Sequence, residues 1–204
     1  MVTVINYGMG NLRSLQNALI HLDTECRIVS DPEVIAASDR LILPGVGSYA
    51  KAMSNIEKSG MRQALEVAVL HRGVPFLGIC LGMQLLSDQG EEGGVTNGLG
   101  WIPGHVIRIS QRENVKVPHI GFNTARFSGN HDGLIVGLGD ECDFYFLHSY
   151  HFVAKRQEDV IGVCDYGSDI VCAVRHENIV GVQFHPEKSQ SNGLQLLLNF
   201  IRNF

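Results

Sequence analysis

The chain has 204 residues, 45% of them hydrophobic and 18% charged, which suits one soluble globular domain with a sizeable core. The formal net charge is −5 and the 16 basic residues are scattered, so a nucleic-acid partner held through its phosphates is not expected. No apolar run approaches the roughly 18 residues of a membrane span, and the opening MVTVINYGMG lacks the basic-then-apolar pattern of a signal peptide.

Val2–Asn6 is a β-branched run that reads as a strand, followed by a turn through Tyr7-Gly8-Met9-Gly10-Asn11. Asn11 is a candidate N-cap, because Leu12, Leu15, Ala18, Leu19 and Leu22 then recur at helical spacing. Arg27–Val29 and Leu41–Leu43 read as further strands, the latter stopped by Pro44-Gly45-Val46-Gly47. Helical stretches follow near Tyr49–Ile56 and Met61–His71. Val74–Ile79 is wholly apolar, as a strand covered on both faces should be, and Leu81–Ser87 continues as helix. This alternation indicates a parallel α/β sheet. In the second half, Val106–Ile109, Asp143–Leu147, Val160–Val163, Ile170–Val174 and Val180–Phe184 read as strands, with a hairpin turn at Tyr166-Gly167-Ser168-Asp169. Glu91–Gly100 reads as a loop and Asn192–Phe204 as a closing helix. One domain spanning 1–204, with a mixed sheet, is the economical organisation.

Five cysteines, Cys26, Cys80, Cys142, Cys164 and Cys172, form no CxxC pair. A disulfide framework or zinc ribbon is therefore not expected, and a reducing cytoplasm fits. Most cysteines are small buried hydrophobes, but Cys80 stands apart in Gly78-Ile79-Cys80-Leu81-Gly82, where a strand passes sharply into a helix. Such a turn exposes a nucleophile at the strand's carboxyl end and requires small neighbours, which Gly78 and Gly82 supply. The following helix N-terminus favours thiolate, and the Leu81 N–H points where an oxyanion would form.

A thiol nucleophile needs a base, and His185 in Phe184-His185-Pro186-Glu187 is the best of nine histidines. Pro186 biases His185 toward extended backbone, and in an extended segment Glu187 points the same way and can accept the ring's Nδ1–H. His148 is a rival; its plainer reading is a half-buried strand histidine with a polar neighbour. A metal site from His148 and His151 lacks a third ligand at recognisable spacing. The GxG of residues 8–10 lacks the third glycine of a dinucleotide fingerprint, and no Walker lysine motif occurs. Pro44–Gly47 is either a plain turn or, opening on the same side as Cys80, a source of a second oxyanion donor.

GICLG with Met83-Gln84 after it, and HPE near the C-terminus, resemble the class I (triad) glutamine amidotransferases. Asn6-Tyr7, Gly10-Asn11-Leu12, PGVG at Pro44–Gly47, KVPH at Lys116–His119, His148-Ser149-Tyr150 and QFHPEKS at Gln183–Ser189 narrow the likeness to the glutaminases of histidine biosynthesis. The resemblance covers nearly the whole chain. It implies a three-layer, flavodoxin-like α/β fold, with a mixed, mostly parallel sheet and helices on both faces. It further implies glutamine hydrolysis by Cys80, His185 and Glu187, and an oxyanion site and switch at Gly45, Val46, Gly47 and Leu81. Glutamine contacts would come from Gly47, Gln84, Ser149 and Tyr150. The implied partner is a (β/α)8-barrel cyclase that receives the ammonia, contacted near Asn11, Phe122, Tyr150 and Lys188, and no metal or organic cofactor is called for. Phe122 stands where this family usually has tryptophan, and related glutaminases serve sugar amidation in surface-polysaccharide synthesis, so that acceptor stays open as the alternative.

Overall fold

A computed structural model describes residues 1–111, 115–128 and 133–204. In the first half, strands β1 (Val2–Ile5), β2 (Cys26–Val29), β3 (Leu41–Gly45) and β4 (Phe76–Cys80) alternate with helices α1 (Leu12–His21), α2 (Pro32–Ala36), α3 (Tyr49–Lys58) and α4 (Met61–Glu66). A single helical turn, α5 (Leu81–Gln84), leaves β4. The second half adds β5 (Gln89–Gly90), β6 (Thr96–Asn97), β7 (Gly104–Arg108), β8 (His119–Phe127), β9 (Glu141–His148), β10 (Tyr150–Ala154), β11 (Val160–Asp165), β12 (Asp169–His176) and β13 (Ile179–Val182), and closes with α6 (Gln190–Asn203).

The strands join in one mixed sheet of order β2-β1-β3-β4-β13-β12-β10-β7-β5-β6, with β11, β8 and β9 branching from β12. The run β2-β1-β3-β4-β13 is parallel throughout. Beyond it β12, β10 and β7 pair antiparallel. Period-two alternation explains the layers. Val2, Val4, Ile42, Leu77 and Ile79 face one core with Leu15 and Leu19 of α1 and Leu197 and Phe200 of α6. Ile5, Leu41, Leu43 and Phe76 face the other, with Ile35, Ile56 and Leu65 of α2, α3 and α4. Helices therefore cover both faces, which is why these strands are apolar on both sides. No helix among the described residues is long and apolar enough to cross a membrane.

Helix α1 begins where its cap was expected: Asn11 Oδ1 accepts from the Ser14 N–H at 3.4 Å. The hairpin at Tyr166–Asp169 also forms, with Tyr166 N–H donating to the Ser168 carbonyl at 3.0 Å and Gly167 at φ 76. Elements α2, β5, β6, β8 and β10 have no counterpart in the expected pattern. Of these, β8 inverts the usual signal: Ile120 and Phe122 point outward, 56% and 52% exposed, while His119 is buried. Within the expected loop at Glu91–Gly100, Thr96 and Asn97 form β6 and pair with β5. The helix expected over Leu81–Ser87 stops at Gln84.

Candidate active site

Strand β4 passes directly into α5, and Cys80 is the join. Its φ of 54 and ψ of −108 lie where side-chain-bearing residues seldom go, a strain of order 1–3 kcal/mol that surrounding packing must hold. The flanking glycines show why the packing is possible. A Cβ on Gly78 would sit 2.6 Å from the Gly82 carbonyl oxygen, and one on Gly82 would land on the Leu43 carbonyl. Because α5 is only four residues long, its dipole at Cys80 is weaker than that of the longer helix expected.

Beside β4 lies β13, in register from Ile179↔Phe76 to Val182↔Ile79, so the chain leaving β13 passes the elbow. There His185 is fixed by its backbone. Its N–H donates to the Tyr145 carbonyl at 2.8 Å. The Ser189 hydroxyl donates to the His185 carbonyl at 2.6 Å and accepts from the Tyr145 N–H at 2.9 Å. The imidazole is 2% exposed. Its Nδ1 lies 2.9 Å from Glu187 Oε1. The expected extended path from His185 to Glu187 does not hold, because Pro186–Lys188 forms a single 3-10 turn. The turn nonetheless delivers the carboxylate to Nδ1. The other ring nitrogen is turned toward the Cys80 sulfur without completing a hydrogen bond of ordinary geometry. Burial alone would push the imidazole pKa down; the Cys80 sulfur and the Glu187 carboxylate outweigh it and push the pKa up to about 10.

The elbow opens on a cavity of about 420 Å³ whose lining includes Val46, Gly47, Cys80, Gln84, Ser149 and Tyr150. Gly45 pairs in register with Cys80, at the end of β3, so Val46 and Gly47 enter the cavity directly beside the sulfur. Gly47 has φ 110, open only to glycine at low strain. Leu81 also lines this space. The Tyr150 carbonyl accepts from Gln84 Nε2 at 2.9 Å, which leaves Gln84 Oε1 as an acceptor for a bound group.

A family model described as glutamine amidotransferase class-I matches residues 3–204. The chain belongs to the class I glutamine amidotransferase family. Among curated members, the imidazole glycerol phosphate synthase subunit HisH of Moorella thermoacetica is 45% identical over 199 residues, covering 98% of this chain and 93% of that protein. The protein of the same name from Caulobacter vibrioides is 42% identical over 207 residues, covering 98% and 97%. A crystal structure titled glutamine amidotransferase shares the fold with a TM-score of 0.74 at 21% identity, over 98% of this chain and 96% of that one.

Three features of this amidotransferase chain escape its sequence pattern. Glu92, in the loop between β5 and β6, lines the cavity and accepts the Tyr49 N–H on Oε2 at 2.7 Å. It thereby caps α3, whose N-cap Ser48 makes no side-chain cap bond, and an acidic residue in a glycine-rich loop carries no sequence signal of that. His148 is not half-buried but 6% exposed, and it faces His119 at 3.0 Å between Nε2 and Nδ1. Burial lowers both rings' pKa values, to about 3 for His148 and about 4 for His119, so both are neutral near pH 7. Among the described residues no group of three or more His, Cys, Asp or Glu could hold a metal ion. Third, the Tyr7 hydroxyl is buried without a hydrogen-bond partner against Gly45, where a Cβ would strike it.

Of the residues expected near a partner, Tyr150 lines the cavity, and Asn11, Phe122 and Lys188 lie in two linked places. Phe122 meets Tyr145 edge-on at 5.7 Å between centroids, and Lys188 Nζ sits 5.7 Å from the centre of the same Tyr145 ring. Asn11 is occupied in capping α1, which packs on the Pro186–Lys188 turn.

Proposed function

We propose that this chain is the cytoplasmic glutaminase subunit of imidazole glycerol phosphate synthase, a single amidotransferase domain that feeds ammonia to a (β/α)8-barrel cyclase in histidine biosynthesis. The observation that carries this reading is the His185 ring, held between Glu187 and the Cys80 sulfur, which itself lines the cavity. Two relatives above 40% identity over nearly the whole chain support the choice of pathway.

In this reading the Cys80 sulfur attacks the side-chain carbonyl carbon of glutamine. The oxyanion is held by the Leu81 N–H and by a peptide N–H of the Gly45-Val46-Gly47 segment, which acts as the switch. His185 gives its Nε2 proton to the departing nitrogen, and ammonia leaves. The γ-glutamyl thioester is then hydrolysed by a water that His185 deprotonates, releasing glutamate and the free thiol. Glu187 keeps the ring oriented and favours its protonated form. Gly47, Gln84, Ser149 and Tyr150 hold the amino-acid end of the substrate, and the Glu92 carboxylate suits its ammonium group. Asn11, Phe122, Tyr150 and Lys188 face the barrel. Ammonium is a poor nucleophile near neutral pH, so sequestered delivery of ammonia to the barrel gives the division of labour its purpose.

The test is reconstitution. The chain is mixed with a histidine-pathway barrel already shown to turn over its ribonucleotide substrate with ammonium salts, and glutamine replaces the ammonium. Imidazole glycerol phosphate and aminoimidazole carboxamide ribonucleotide are expected. Glutamine hydrolysis without either product, from a barrel competent with ammonium, assigns the chain to another acceptor such as a sugar.

A further inference from the structure

Behind the cavity wall, a second glutamine of the site lies against the nucleophile. Gln183 is fully buried at the exit of β13, two residues before His185. Its Nε2 lies 3.6 Å from Cys80 Sγ. Its Oε1 accepts from Gln84 Nε2 at 3.0 Å, and the same Gln84 Nε2 donates to the Tyr150 carbonyl at 2.9 Å.

The direction of this chain is dictated by chemistry. A backbone carbonyl can only accept, so the Gln84 atom facing Tyr150 must be its NH₂. That NH₂ can only donate, so the Gln183 atom it meets must be oxygen. The opposite end of the Gln183 carboxamide is then an N–H donor, and it is aimed at sulfur. The Tyr150 carbonyl is itself held from a second side. His148 Nδ1 lies 2.9 Å from it and must donate, leaving His148 Nε2 to accept from His119 Nδ1 at 3.0 Å. His119 Nε2 faces Asn123 Nδ2 at 3.3 Å. Donors therefore converge on the Tyr150 carbonyl, from Asn123 through two neutral imidazoles on one side and from Gln84 on the other, and the same Gln84 NH₂ also donates to Gln183, whose own NH₂ faces the nucleophile.

The sulfur has competing neighbours. The Leu147 carbonyl oxygen lies 3.8 Å from it and favours the protonated thiol, because it can only accept. Gln183 offers the opposite. The titratable groups around the sulfur are His185 with Glu187 behind it, and Tyr7 beyond Gly45; His148 acts on His185. We propose that Gln183 is a positioning residue for the reaction: its carboxamide, locked in one orientation by Gln84 and the Tyr150 carbonyl, holds the Cys80 sulfur in place and favours its thiolate over its thiol. This rests on Cys80 being the nucleophile.

The experiment compares the full chain with its Gln183→Glu and Gln183→Met variants. Glutaminase kcat/KM is measured with the barrel bound. Separately, iodoacetamide labelling of Cys80 is followed across pH, with the labelled peptide identified by mass spectrometry. Gln183→Glu keeps the size and the acceptor for Gln84 but, once ionised, puts an oxygen where the donor was. Gln183→Met keeps the size and removes both polar ends. The acid limb of Cys80 labelling is expected to move to higher pH in both, further in Gln183→Glu. kcat/KM should fall about tenfold to a hundredfold, the range for losing a hydrogen bond to a charged partner. A residue that merely fills space would leave the labelling profile unmoved, so an unshifted acid limb in folded Gln183→Glu overturns the proposal, whatever happens to turnover. Absence of labelling at Cys80 and of glutaminase activity in the unaltered chain would instead overturn the assignment of the nucleophile.

Discussion

The two halves of the sheet build the site by different physics. In the parallel half the decisive element is backbone. Cys80 sits at φ 54 because Gly78 and Gly82 let α5 fold back on β3, and Gly45 lets the next strand end beside it. Where the chain leaves β13 and meets the antiparallel strands, side-chain hydrogen bonds join the backbone contacts. His185 is placed by Tyr145 and Ser189, oriented by Glu187, and flanked by the Gln183 and His148 chains. A strained turn fixes where the sulfur stands, whereas the polar contacts fix which protonation states surround it. Damage to the first should act on folding and geometry together, and damage to the second on pH dependence with the fold intact.

The largest effect expected is from Cys80→Ala. Glutamine-dependent turnover should fall by at least about four orders of magnitude, while the complex keeps its rate with added ammonium salts. Parallel loss of the ammonium-dependent rate would show that the elbow also shapes the partner's site. Gly82→Ala follows. Its Cβ would meet the Leu43 carbonyl, which cannot withdraw, so a destabilisation of about 3 kcal/mol or failure to fold is expected in urea titration. Stability equal to that of the unaltered chain would mean that the elbow is not the rigid element described here.

On the side-chain half, Glu187→Gln should lower kcat/KM about tenfold to a hundredfold with little change in urea midpoint. Burial disfavours the charged His185 ring, and the Cys80 sulfur and Glu187 carboxylate hold its pKa up at about 10. Neutralising the carboxylate therefore lowers that pKa, and the alkaline limb of the pH–rate profile should move to lower pH. A limb that stays put would remove Glu187 from the electrostatics and leave it as a hinge. The smallest effect on the chain itself is expected from Phe122→Ala. Its ring is half exposed, so unfolding should change by no more than about 0.5 kcal/mol. Under the proposed partner assignment, affinity for the barrel should weaken about tenfold.

The same division decided what could be read from the sequence. The elbow was legible because its glycines are steric requirements at fixed spacing, and the central parallel strands β3 and β4 because burial on both faces leaves them without charged or polar side chains at their core. Histidine and glutamate two residues apart after a strand were also legible, though the turn that joins them was not. Strand β8 was hidden, since its large apolar residues, Ile120 and Phe122, face outward and its inward positions include His119. Strand β10 was hidden because only Ser149 separates it from β9, too little chain to leave a turn signal. Glu92, Gln183 and the paired imidazoles act through partners between 29 and 103 residues away, a relation no local pattern records.

One consequence lies in the seam between β4 and β13. Gly181 faces Gly78 across it, with Met83 crowding over the pair, and the sulfur and the imidazole stand on opposite banks. Fraying of those few backbone bonds would part the reacting atoms while both hydrophobic layers stayed closed. The enzyme could thus fall silent without looking unfolded, and amide exchange at Val180–Val182 should keep time with the loss of turnover better than any global measure of stability.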